Sequence, residues 1–220
     1  MWTLSVIFIL VYTFFLIAVL IGYNRIEAFN DLDMNAITSF SVIIPFRNES
    51  QHLLRLLKSI EVLDYPKDSF QVLMIDDHSE DDSVAIIRSF RASHPELRIS
   101  LLTNSHADGI GKKNALISGI DRADFPWIIT TDADCILPST WLRSLSAFIH
   151  SNNLSMVIAP VSYRPNFTLL SQFQFLDFLA LQGLTVGTFG LDRPILCNGA
   201  NFAYTKSLFE SLGGYQGNTH

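Results

Sequence analysis

Residues 40–77 read FSVIIPFRNESQHLLRLLKSIEVLDYPKDSFQVLMIDD, and this stretch decides the fold. Phe40 to Pro45 is a short β-branched run, closed by the polar cluster Arg47-Asn48-Glu49-Ser50. Leu53, Leu54, Leu57, Ile60 and Leu63 then recur at helical spacing. A second apolar run, Phe70 to Ile75, ends in Asp76-Asp77. Strand, helix and strand in close succession predict a parallel pair joined by a helical crossover.

The alternation continues downstream. Ser79-x-x-Asp82 reads as a helix cap, with Val84, Ile86, Ile87 and Phe90 as the apolar face behind it. Leu97 to Leu102 is a third strand run, Thr103 to Gly111 a loop, and a helix opens near Lys112. Trp127 to Thr131 is a fourth run and ends in Asp132-Ala133-Asp134. Pro138 opens a helix to about His150, and Ser155 to Val161 makes a fifth strand. Cys197 to Tyr204 reads as a strand or tight loop, followed by a short helix from Lys206 to Leu212 and a Gly213-Gly214 stop. Short apolar runs alternating with helices place the chain in the α/β class, with a mostly parallel sheet covered by helices on both faces. Ligands of such sheets bind beyond the carboxyl ends of the strands. The polar residues of the first, second and fourth runs gather there.

Composition excludes two classes. Hydrophobic residues make up 49% of the 220 and charged residues 16%, whereas a disordered chain needs the opposite balance. Lys+Arg 15 against Asp+Glu 21 gives a net charge of −6, a poor footprint for neutralising nucleic-acid phosphates. Two cysteines, Cys135 and Cys197, form no disulfide framework and fit a reducing compartment. The six histidines show no metal-ligand spacing with them and read as structural or exposed.

Upstream of the sheet the character changes. No Asp, Glu, Lys or Arg precedes Arg25, and Trp2 to Gly22 is apolar for about 21 residues. At ~1.5 Å per residue that is roughly 31 Å of helix, close to the ~30 Å hydrocarbon core of a bilayer. A cleaved signal peptide would want a basic start, a shorter apolar core and a small-x-small site, none of which is present. Trp2 and Tyr23 suit the two interfaces. The expected organisation is a transmembrane anchor over 1–23, a juxtamembrane linker over 24–38 and a catalytic domain over 39–220. Arg25 alone, beside Glu27, Asp31 and Asp33, leans the domain to the cytoplasmic side. Leu169 to Gly190 is also apolar, but Gln172, Gln174, Asp177 and Gln182 would be costly at mid-bilayer. An amphipathic helix on the core or at the membrane surface is expected instead.

Four groups of residues could carry chemistry. Of the acidic stretch 76–82, Glu80, Asp81 and Asp82 read as a solvated helix start. Asp76 and Asp77 stand at the strand end, where a carboxylate can accept from a base N–H or a ribose hydroxyl. Asp132 and Asp134, alternate residues of an extended segment, would face one cleft. Two like charges held close call for a cation, and a hard divalent ion takes one or two carboxylates and completes its shell with waters and phosphate oxygens. Gly109-Ile110-Gly111-Lys112-Lys113 fails the P-loop pattern, since His106 and Lys113 stand where Gly and Ser/Thr are required. It is either a flexible turn or a helix start near an anion. Cys135 reads as a small buried residue and not as a nucleophile.

Together these elements resemble the family 2 glycosyltransferases, membrane-associated inverting enzymes with a GT-A nucleotide-sugar fold. The resemblance rests on Ser41-Val-Ile-Ile-Pro-Phe-Arg-Asn-Glu49, Ile75-Asp-Asp-His-Ser79, Gly111-Lys-Lys-Asn-Ala-Leu116, Thr131-Asp-Ala-Asp-Cys135, and Asn198-Gly-Ala-Asn-Phe-Ala-Tyr204 leading to Gly213-Gly-Tyr215. It implies that Pro45, Arg47 and Glu49 line the nucleotide pocket, with Asp76 and Asp77 at the base. It implies Lys112 or Lys113 near the nucleotide, and Asp132 by the ribose and diphosphate. Asp134, with Asp132, would ligate Mn²⁺ or Mg²⁺. Asn198, Gly199, Ala200 and Asn201 would border the donor sugar and acceptor.

The implied partners are a UDP- or GDP-sugar, a glycan or lipid-linked acceptor, and membrane lipid. Nucleotide sugars are cytosolic, which again puts the domain on the cytoplasmic face. The family's general base follows the Gly-Gly-aromatic segment, so it is expected beyond His220, and the chain reads as C-terminally truncated. A rival expectation follows: a nucleotide-sugar-binding or scaffold module that holds donor without transferring it. A nucleotidyltransferase would want a glycine-rich loop after the first strand, which Pro45-Phe-Arg-Asn-Glu49 does not supply.

Overall fold

The computed structural model describes residues 2–26, 29, 37–104, 109, 111–163 and 165–215. Much of the expected linker (27, 28, 30–36, with its three acidic residues), the loop residues 105–108 and 110, and His220 lie outside the described residues. In chain order the elements are α1 (Trp2–Arg25), β1 (Phe40–Phe46), α2 (Ser50–Glu61), β2 (Phe70–Asp76), α3 (Ser83–Ser93), β3 (Ile99–Thr103) and α4 (Lys112–Asp121). They continue with β4 (Trp127–Thr130), α5 (Trp141–Asn152), β5 (Met156–Ile158), α6 (Leu169–Gly190), a 3₁₀ turn at Gly199–Asn201, β6 (Phe202–Thr205) and α7 (Lys206–Ser211).

The chain forms two compact units. Met1–Asn30 with Pro160–Asn198 hold α1 and α6, while Asp31–Ala159 with Gly199–His220 hold the sheet. Residues 160–198 therefore belong with the N-terminal helix, a grouping that the division at residue 39 did not anticipate.

In the sheet unit, six strands run in the order β3-β2-β1-β4-β6-β5. β1 pairs parallel with both β2 and β4, β2 pairs parallel with β3, and β6 is antiparallel to β4 and β5. All seven residues of β1 and of β2 are buried, as strands covered on both faces must be. Side chains alternate between two cores. Phe40, Val42 and Ile44 pack with Leu53, Leu57 and Ile87, whereas Ile43 packs with Leu73, Ala115 and Ile128. Helices α2, α3 and α5 thus cover one face and α4 the other, as the strand-helix alternation predicts.

Local differences from the sequence expectations have simple causes. Leu54 is 48% exposed and Leu56 is fully buried, because residues 53, 56, 57 and 60 share one helical face. α3 begins at Ser83 with no side-chain cap from Asp82. Asp81 serves both helix starts instead, its carboxylate accepting from Ser83 N and Ser50 N, each at 3.0 Å. Pro138 opens a turn, its carbonyl accepting from Trp141 N at 2.9 Å, and α5 starts only at Trp141. The fifth strand shrinks to Met156–Ile158, an edge strand that pairs on one side only.

In the other unit, α6 is not amphipathic in the usual sense. Phe173 and Leu176 are 68% and 62% exposed, while Ser171 and Thr185 are buried. Its last turns pack against the end of α1. A Cβ on Gly187 would stand 2.5 Å from the Val19 carbonyl oxygen, so the two backbones approach to a distance that only glycine permits.

Candidate functional site

Register brings the expected residues to one rim. Pro45 lies opposite Ile75 and Phe46 opposite Asp76, and the Phe46 carbonyl accepts from Asp77 N at 2.9 Å. On the other side of β1, Ile43 pairs with Thr130, and its carbonyl accepts from Thr131 N at 3.3 Å. Asp77 and Asp132 therefore flank the carboxyl end of β1. Because β6 runs antiparallel to β4, it is its start, and the turn at Gly199–Asn201, that reaches the same rim.

Asp77 sits 7% exposed at the centre of a small network. Its Oδ1 accepts from Asn104 Nδ2 at 2.6 Å and from Gly111 N at 3.2 Å. Asn104, itself buried, also donates its backbone N–H to the Asp76 carbonyl and accepts from Ser118 Oγ at 3.2 Å. Gly111 has φ +146°, a conformation open to glycine and poor for other residues. That backbone turns the N–H at the start of α4 onto Asp77. The helix start thus faces the protein's own carboxylate, which the partial positive charge there favours.

One residue on, α4 contacts the next strand end. Lys112 Nζ donates to Asp132 Oδ1 at 2.5 Å, so the ends of β2 and β4 are tied through the first turn of α4. Lys113 points elsewhere, its ammonium 5.8 Å from the centroid of the Tyr215 ring. Of the two lysines expected near the nucleotide, Lys112 joins the acidic rim through this contact.

The Asp132-Ala133-Asp134 segment is a turn and not an extended strand. Cys135 N donates to the Asp132 carbonyl at 3.2 Å, while Ala133 is buried in the core. Both carboxylates still leave the core, Asp134 exposed and Asp132 half-buried, but it is the turn that directs them and not strand alternation. Cys135 is half-buried and not fully buried as the sequence suggests, and its partial burial pushes the thiol up, away from the thiolate of a nucleophile.

Asp76 and Glu49 also hold local turns. Asp76 Oδ1 accepts from Ser79 N at 2.9 Å and fixes the turn after β2. Glu49 precedes α2, its Oε2 lying 2.7 Å from His52 Nδ1 and its N–H donating to Ser83 Oγ. Arg47 is exposed just past β1. At the far side of the rim, Thr130 Oγ1 donates to the Gly199 carbonyl at 2.6 Å and Trp141 Nε1 donates to Asn201 Oδ1 at 2.9 Å. Ala159 N donates to the Asn201 carbonyl, and Ala200 is buried. Asn198 falls in the α1–α6 unit.

Asn104, Ser118, Thr130 and Trp141 were not among the sequence candidates. Asn104 stands just beyond β3, and the strand-end rule that marked Asp77 would have marked it too. Trp141 gives no such signal, since an aromatic on a helix reads as core.

A divalent cation was expected at Asp132 and Asp134. Carboxylate oxygens are the right donors for a hard cation, but among the described residues no three potential ligands cluster. Asp132 and Asp134 supply oxygen donors of the right kind, with Asp132 Oδ1 paired with Lys112.

Comparison with known proteins identifies the family and the fold. The model of the glycosyl transferase family 2 matches residues 41–211. The probable glycosyltransferase YdaM of Bacillus subtilis is 26% identical over 186 residues, 83% of this chain and 44% of that protein. A poly(ribitol-phosphate) beta-N-acetylglucosaminyltransferase, TarS of Staphylococcus aureus, is 30% identical over 120 residues, 54% of this chain and 20% of that one. Among solved structures, the mannosyltransferase PcManGT of Pyrobaculum calidifontis, in complex with GDP-Man and Mn²⁺, superposes with a TM-score of 0.69 at 25% identity. That match covers 90% of this chain and 55% of the other. The chain spans less than half the length of these curated relatives. The sheet is the GT-A fold that the resemblance implied.

Proposed function

The chain belongs to glycosyl transferase family 2, and on that premise we propose that it transfers a sugar from a nucleoside-diphosphate donor to an acceptor hydroxyl with inversion. The observation that carries this is the single rim where Asp77, Lys112 and Asp132 are joined through the start of α4. The structural neighbour holds GDP-Man and Mn²⁺, which supports a donor of that chemical class.

Each group at the rim has a task. Asp77 is buried and oriented through Oδ1 by Asn104 and Gly111, which fits it to accept from a base N–H at Oδ2. Pro45, buried in β1 opposite Ile75 and lacking an N–H, backs the pocket from within the sheet. Lys112 places a positive charge where the donor's diphosphate departs and balances Asp132 until donor arrives. Asp134, with Asp132, would hold a divalent cation, which when bound lowers the cost of the charge developing on the leaving diphosphate. The turn Gly199–Asn201, pinned by Thr130 and Trp141, borders the sugar. The acceptor hydroxyl gives its proton to a general base and attacks the anomeric carbon as the bond to the diphosphate breaks on the opposite face, which inverts that centre.

The same proposal places α1 across a membrane with the sheet unit on the cytoplasmic side. α1 is apolar and long enough for a span, and it carries Arg25 at its end. Titration calorimetry of the detergent-solubilised chain with UDP and GDP tests the function. Binding strengthened by Mn²⁺ in the native chain, and no longer strengthened in Asp134→Asn, is expected. Failure to bind either nucleotide, or an unchanged response in Asp134→Asn, overturns it.

A further inference from the structure

Helix α6 carries an apolar stripe that continues the face packed on α1. Leu169, Phe173, Leu176, Ala180, Gly183 and Gly187 follow one another at alternating steps of four and three, so they lie on one face of the helix. At its C-terminal end this face meets α1, where Gly187 lies against Val19 and Gly22. Toward the N-terminus the same face leaves α1 and becomes bare. Leu169 is 90% exposed, Phe173 68% and Leu176 62%.

We propose that this stripe lies in the surface of the lipid bilayer that α1 enters, making α6 a second membrane contact within the same unit. The inference rests on α1 being the membrane anchor. Three observations favour lipid over protein as the occupant. The stripe continues a face already packed on α1, whose other residues are themselves exposed and apolar. Beside exposed Leu170 and Leu179, the rest of the helix carries Gln172, Gln174 and Asp177, the only charged residue of α6. A helix lying in the interface keeps such side chains at the headgroups, whereas one crossing the bilayer would bury them. The stripe is also bulky at the bare end and small at the α1 end. Leucine and phenylalanine suit fluid acyl chains, and glycine suits close helix packing.

The test uses the full chain, with Cys135 and Cys197 replaced by serine, floated with phosphatidylcholine vesicles. Single cysteines at Phe173→Cys, Leu176→Cys and Gln174→Cys carry an environment-sensitive fluorophore. The expected result is several-fold stronger quenching by lipid-borne nitroxide at 173 and 176 than at 174, with iodide in the water showing the reverse order. Equal access of iodide to all three positions overturns the proposal. So does blue-shifted emission at 173 and 176 that lipid nitroxide does not quench, because protein would then cover the stripe, whether a second copy or another partner. Failure of the chain to float with the vesicles refutes the α1 anchor itself, a separate result from a floating chain with an unquenched stripe.

Discussion

Asn104 holds Asp77 in place: its amide nitrogen donates to Oδ1 at 2.6 Å, and both side chains are buried at the carboxyl edge of the sheet. A buried carboxylate with a fixed rotamer is preorganised to receive a ligand, but losing its donor leaves charge poorly compensated. A hydrogen bond to a charged group is worth about 1.5–3 kcal/mol. Asn104→Ala should therefore weaken nucleotide binding by about tenfold or more. Calorimetric titration with UDP and GDP reads this directly, and unchanged affinity would remove Asn104 from the site.

Trp141 reaches the opposite end of the rim. Its indole N–H donates to Asn201 Oδ1 while its ring is buried in the core. Trp141→Phe keeps most of the apolar contact and removes the donor, a loss of about 0.5–1.5 kcal/mol. In a chain with measurable transfer, kcat should fall by a few-fold to about tenfold while nucleotide affinity holds. Equal losses in both would mean that Trp141 supports the fold and not the turn.

Asp81 makes a pH-dependent latch. The hydrogen bonds from Ser83 and Ser50 hold its carboxyl below the ordinary carboxylate range. A group whose pKa is lowered by folding stabilises above its unfolded value, and that contribution is lost as pH falls through the folded value. The native chain should thus melt higher than Asp81→Asn near neutral pH, and the gap should close as the solution is acidified below the carboxylate range. A gap that is constant across that range would refute the latch.

Gly119 lies where α4 touches β1. A Cβ there would come within 2.5 Å of Ile43 Cγ2, and Ile43 is fully buried. Replacing glycine by alanine in a helix ordinarily gains about 1 kcal/mol, while overpacking a closed core costs about 1–3 kcal/mol. Ile43 is β-branched and held in its strand, so it yields little and the clash wins. Gly119→Ala should lower the melting temperature of the sheet unit, and a rise would show that the approach of α4 is loose.

Much of the sheet was legible because burial on both faces leaves a plain mark. β1, β2 and β4 read as unbroken apolar runs ending in polar residues, and the structure places those ends at one rim. The outcome for the paired aspartates was different. Strand alternation predicts both facing one cleft, yet they stand on a turn with Ala133 buried between them. The capping role expected of Ser79 and Asp82 passed to Asp81, whose partner Ser50 is remote in sequence. Only folding brings such a pair together.

By itself, the sequence determined most of the strands and helices, that the sheet is covered on both faces, and that an apolar helix precedes it. These follow from local periodicity and from runs of like residues, which neighbours along the chain carry. The tertiary structure alone decided that Lys112 meets Asp132, and that Asn104 and Gly111 converge on Asp77. It alone decided that α6 packs on α1 through glycines. Each of these depends on which residues distant in sequence the strand register and helix crossings bring within hydrogen-bond or van der Waals range, and no periodicity in the chain encodes that.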